Sequence, residues 1–128
     1  SGRIQSARLA LELLSTSDAV QAVQLAQQLE AFNAERMEIQ NAIWDEIRPS
    51  IEKAMERGEF PHAIVVAQEN WHEGVLGIVA SRVIDFFHRP AVVISFQEDR
   101  GKGSLRSFGG KDVLQALQLC ADDLEGFG

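Results

Sequence analysis

Between Arg3 and Arg57 the chain has no glycine, and within that span Leu25, Leu29, Phe32, Arg36, Ile39, Ile43, Ile47 and Ile51 recur at steps of three and four. That spacing places all eight on one stripe of a helix, and every one except Arg36 is apolar. Ser15, Thr16, Ser17 and Asp18 break the preceding pattern (Ile4, Leu9, Leu11, Leu14) and supply candidate N-caps. Pro49 removes one helical hydrogen bond at a cost of ~3 kcal/mol, so a kink or restart is expected near Arg48. Gly58 stands where a helix stops. A helix over residues 18–57 would run roughly 60 Å at 1.5 Å per residue, longer than a small domain accommodates internally. Such an element is expected to bridge two domains or to pack against a partner.

Residues 60–128 change character and hold most of the glycines. The short apolar runs HAIVVAQ (62–68) and AVVISF (91–96) predict strands, and GVLGIVASRVIDFF (74–87) predicts a buried helix between them. Residues 102–108 predict a third strand. DVLQALQLCADDL (112–124) predicts a final amphipathic helix with Asp112 as its cap. The order β-α-β-β-α gives an α/β fold class: long N-terminal linking helices over 1–58, then a small mixed-sheet domain over 59–128. The opening residues begin mid-pattern and the last ones follow a helix directly, so a piece of a longer protein is expected.

The net charge of −7 argues against a general polyanion binder, but it leaves room for a local basic patch. The single cysteine, Cys120, excludes an intrachain disulfide, and its place in VLQALQLC predicts a buried, inert thiol. No apolar run approaches the ~20 residues of a bilayer span, and no leader pattern opens the chain, so a cytoplasmic protein is expected.

The segment GKGSLRSFGG (101–110) carries the clearest chemistry. On a strand, Ser104 and Arg106 share one face. A guanidinium offers a planar fork matched to two phosphate oxygens, and a hydroxyl adds a further donor. Gly101 and Gly103 flank Lys102 and would let backbone N–H groups approach an anion. The same residues would equally form a solvated hairpin with a charged edge strand. They do not match the GxxxxGK phosphate loop. Trp71 and His72 lie between a predicted strand and helix, where ligands gather in α/β sheets. His72 could donate to a phosphate and Trp71 stack on a base; equally, Trp71 could fill the core and His72 cap the helix. His62, His72, Glu73, Asp85 and His88 are ligand types, but their spacing fits no zinc pattern, and no GxSxG elbow supports a serine nucleophile.

Taken together, WHEGVLGIVASRVIDFFHRPAVVIS, GKGSLRSF and the closing LEGFG resemble the C-terminal DHH-associated domain of RecJ-type exonucleases, in the DHH phosphoesterase superfamily. Gly2-Arg3-Ile4, Leu13 to Asp18 and Asn33-Ala34-Glu35-Arg36 are similar to that family's linking helices, so the resemblance covers nearly the whole chain.

The resemblance implies that the intact protein degrades single-stranded DNA from its 5′ end with Mn or Mg. The metals would be held by an Asp-His-His domain, and that motif does not occur in these 128 residues. By itself the chain is therefore expected to be non-catalytic, with no cofactor of its own. Ser104 and Arg106 match a Ser-x-Arg pair similar to a 5′-phosphate site. Lys102, Gly103, His72 and Trp71 are further substrate-binding candidates, and Arg100 adds longer-range attraction. The expected partners are a 5′-phosphorylated single strand and the metal-bearing domain, and two copies could pair through the long helix. The alternatives are a relative acting on nano-RNA or cyclic dinucleotides, and a non-enzymatic interaction module.

Overall fold

The computed structural model describes residues 2–110 and 113–126. Helix α1 (Gly2–Ser15) folds back on helix α2 (Ala19–Glu56). The carboxylate of Asp18 caps α2, accepting from the N–H groups of Val20 and Gln21 at 2.9 and 3.3 Å. Strand β1 (Ile64–Glu69) follows. A 3-10 turn (Glu73–Val75) then leads into helix α3 (Leu76–Phe87). Strands β2 (Ala91–Gln97) and β3 (Arg100–Arg106) form a hairpin, and helix α4 (Val113–Leu119) comes last, with a 3-10 turn (Ala121–Asp123) after it. This is the α/β class expected, with long helices preceding a small mixed sheet.

The sheet order is β1-β2-β3, with β1 parallel to β2 and β3 antiparallel to it. The hairpin turns through Glu98 and Asp99, with Glu98 in the left-handed region at φ 56°. Strand period sorts the side chains. Ala91, Val93 and Ser95 of β2 are buried beneath α3, whereas Val92, Ile94 and Phe96 point the other way. The antiparallel register pairs Lys102 with Ser95, Ser104 with Val93 and Arg106 with Ala91. Lys102, Ser104 and Arg106 of β3 therefore lie on the face that carries α3.

The core draws on both halves of the chain. Ile43, Trp44, Ile47 and Ile51 of α2 join Ile64, Val93 and the α3 residues Leu76, Val79, Ala80 and Val83 in one buried cluster. Two cation–ring contacts fasten α2 to α3: Arg82 over Trp44 and Arg48 over Phe86, each 4.7 Å from the ring centre. The proximal part of the stripe is covered by α1, and Leu25 is buried there.

Four expectations need correction. Of the kink or restart expected near Arg48, the restart does not occur: α2 continues through Pro49. Pro49 is exposed, so the lost hydrogen bond lies on the solvent side, while buried Ile47 and Ile51 hold the inner side against the core. The third strand ends at Arg106, not Phe108, and α4 gives way to a 3-10 turn before Leu124. Cys120 is exposed, because among the described residues α4 packs chiefly on the turn that follows it and leaves Leu114 and Leu119 in solvent. The expected cap at Asp112 lies outside the described residues.

Candidate functional site

The segment after β1 is built as a bracket. Trp71 turns inward, and its carbonyl accepts a hydrogen bond from buried Ser95 Oγ at 2.7 Å. With Trp71 anchored, the next three residues face outward. His72 folds its ring over Gly74 and accepts the Gly74 N–H at Nδ1, 3.1 Å away. A Cβ on Gly74 would stand 2.9 Å from that ring, so the cap needs glycine. An accepting Nδ1 leaves the proton on Nε2, free to donate elsewhere. Glu73 Oε2 pairs with Lys102 Nζ at 3.4 Å.

His72, Glu73 and Gly74 line a cavity of about 820 Å³, which runs along β3. Gln97 and Lys102 line it at the carboxyl end of β2, and Gly103, Ser104 and Arg106 continue the same wall. Leu76 and Gly77 of α3 and Phe32, Glu35, Arg36 and Ile39 of α2 complete its lining. Ser6 reaches it from α1, with a buried Oγ that has no hydrogen-bond partner among the described residues.

Ser104 and Arg106 converge. Both reach towards Gly77, where an ideal Cβ would stand 3.3 Å from Ser104 Oγ and 2.7 Å from Arg106 Nη2. Arg106 donates from Nη1 to the carbonyl of Leu105 at 3.0 Å. Among the described residues neither Arg106 nor Arg36 has an ion pair, so both cations are available to an anion in the cavity. Arg100 is placed elsewhere, paired with Glu125 at 3.4 Å and outside the lining.

Five of the six sequence-predicted positions thus line one cavity: His72, Lys102, Gly103, Ser104 and Arg106. Trp71 does not. It is 7% exposed and packed in the core, and its indole N–H has no partner among the described residues. The glycines of β3 also have a role other than the one expected. A Cβ on Gly101 would meet the Phe96 ring at 2.8 Å, and one on Gly103 would meet Ile94 Cγ1 at 3.2 Å. Both glycines make room for apolar side chains on the far face of the sheet.

Sequence reasoning missed Arg36, Gly77, Glu73 and Ser6 as parts of the site. For Arg36 the signal was present: it is the one charge in an otherwise apolar stripe, and it falls where α2 leaves the core and borders the cavity.

The cavity lining therefore includes a guanidinium fork beside a hydroxyl, a second guanidinium from α2, and an ammonium paired with a carboxylate. Such donors have the chemistry to hold an anion. Among the described residues no three of His, Cys, Asp and Glu gather into a group that could hold a metal ion.

Residues 61–128 match the DHHA1 domain. The chain belongs to the DHHA1 domain family. Beyond the residues of the DHHA1 match, the whole chain is similar to single-stranded-DNA-specific RecJ exonucleases. It is 40% identical over 129 residues to RecJ of Bacillus subtilis, spanning 99% of this chain and 16% of that protein. RecJ of Thermus thermophilus is 32% identical over 126 residues, with 98% and 17% covered. The crystal structure of Thermus thermophilus RecJ in complex with Mn2+ superposes with a TM-score of 0.82 at 33% identity, over 98% of this chain and 18% of that one. This DHHA1 chain thus spans about a sixth of the length of these two curated relatives.

Proposed function

We propose that this chain is the substrate-binding part of a RecJ-type exonuclease and that it seats the 5′-phosphate of a single DNA strand. The observation that carries this reading is the convergence of Ser104 Oγ and Arg106 Nη2 on Gly77, in the wall of a cavity that Arg36 also lines. The guanidinium would take two phosphate oxygens and the Ser104 hydroxyl a third. Arg36 and Lys102 would hold the backbone that follows, and His72 Nε2–H would add a neutral donor. In an overall acidic chain these cations concentrate attraction at one place.

In this reading residues 1–58 act as linking helices and 59–128 as the substrate-binding unit, with the distal part of α2 built into the core of the latter. The same reading assigns the metal-dependent cleavage to a separate Asp-His-His domain of the intact enzyme. The contribution of this chain is positioning: it fixes the strand end and thereby the bond presented for hydrolysis.

The test is a binding measurement on the 128-residue chain with one single-stranded oligonucleotide in 5′-phosphorylated and 5′-hydroxyl forms. A charge-assisted pair contributes about 1.5–3 kcal/mol, so the phosphorylated form should bind roughly tenfold or more tightly, and Arg106→Ala should erase the difference. Equal affinities for the two forms, unaffected by Arg106→Ala, would sink the reading. A preference for dinucleotides over longer strands would redirect it to the nano-RNA or cyclic-dinucleotide relatives.

A further inference from the structure

We infer that Gly77 is a positioning residue for the phosphate grip: the empty space above its Cα is the seat in which Arg106 and Ser104 are held. The inference rests on the phosphate reading given above.

Gly77 sits in the first turn of α3. Nothing in its backbone calls for glycine, since it is not among the residues with positive φ. Glycine disfavours a helix relative to alanine, so the position carries a stability penalty that helix formation does not explain. The neighbouring side chains do explain it. A Cβ at Gly77 would stand 2.7 Å from Arg106 Nη2, 3.6 Å from Arg106 Cζ and 3.3 Å from Ser104 Oγ. The three nearest atoms all belong to the two residues that would hold the phosphate.

The identity of those atoms decides what a methyl group there would do. Backbone or core carbon would resist it, and the fold would suffer. Nη2 is the far end of a flexible chain, so the guanidinium would swing away and the fold would remain. Bidentate binding depends on the aim of a planar fork, and a shift of about an ångström breaks it. Gly77→Ala therefore separates two quantities that usually fall together: the helix gains propensity while the grip loses its aim.

The experiment uses the 128-residue chain, wild type and with Gly77→Ala, Arg106→Ala and both. For each, the affinities for a 5′-phosphorylated and a 5′-hydroxyl oligothymidine are measured, and thermal unfolding is followed by circular dichroism. The expected results are three. Gly77→Ala has an unchanged or raised Tm. Its preference for the phosphorylated strand falls about tenfold or more. In the Arg106→Ala background the same substitution has no further effect on that preference, because the two residues act through one contact. If Gly77→Ala keeps the preference while Arg106→Ala loses it, the inference is wrong and the phosphate reading stands. If Arg106→Ala also keeps it, or the wild type has none, the phosphate reading fails and takes the inference with it. A Gly77→Ala chain that melts earlier or does not fold shows that the glycine serves packing, which also overturns the inference.

Discussion

Ser95 Oγ donates to the carbonyl of Trp71 at 2.7 Å, across a core in which Ser95 is fully closed to solvent. This bond ties the middle strand to the loop that follows β1. It holds Trp71 inside, so that His72, Glu73 and Gly74 present themselves to the cavity. Ser95→Ala would leave the carbonyl unsatisfied in the core and should cost about 1–3 kcal/mol. Urea denaturation measures this as a lower midpoint with an unchanged slope; a loss below roughly 0.5 kcal/mol would mean that the loop is held by other contacts.

Arg36 is the charge that breaks the apolar stripe of α2, and it lines the cavity. Replacing it with leucine completes the stripe. Arg36→Leu should leave stability equal or higher and weaken single-strand binding about fivefold, or ~1 kcal/mol. The slope of log affinity against log salt should also become shallower by about one phosphate contact. Stability falling together with affinity would assign Arg36 a packing role instead.

Lys102 and Glu73 form an exposed pair beside the grip, at 3.4 Å. Such pairs add little to stability, so Glu73→Gln should shift the unfolding free energy by less than about 0.5 kcal/mol. It should tighten binding of an anionic strand a few-fold at low salt, because Lys102 is released and a repelling carboxylate is gone. Fluorescence anisotropy over a salt series would show the gain shrinking as ionic strength rises. Weaker binding would indicate that Glu73 positions Lys102 for the substrate.

Cys120 is exposed. One equivalent of an aromatic disulfide reagent should react with the native chain without denaturant. Reaction that waits for denaturant would show that α4 is covered in solution.

Much of this was legible in the sequence, for identifiable reasons. HAIVVAQ and AVVISF are short apolar runs bounded by turn residues, and the helix between them makes a parallel crossover the natural arrangement. Alternation along β3 put Ser104 and Arg106 on one face, and the register bears that out. What pattern could not supply was depth. Trp71 and His72 are adjacent and both can meet a ligand, yet the Ser95 bond turns one inward and leaves the other at the cavity. Gly77 was hidden inside an apolar helical run, and its meaning depends on an arginine far along the chain that only the folded sheet brings near. Cys120 misled because periodicity predicts an apolar face without saying whether anything covers it.

The most direct test of the phosphate seat is a nuclear magnetic resonance titration of the ¹⁵N-labelled chain, including the arginine side-chain signals. The chain is titrated with a 5′-phosphorylated single strand and then with its 5′-hydroxyl counterpart. The expected result is a set of shifts at Gly77, Ser104 and the Arg106 guanidinium that appears with the phosphorylated strand and is absent or much smaller with the hydroxyl strand. Identical shifts for the two strands, or phosphate-dependent shifts that avoid these three residues, would contradict the assignment of the phosphate to Ser104 and Arg106.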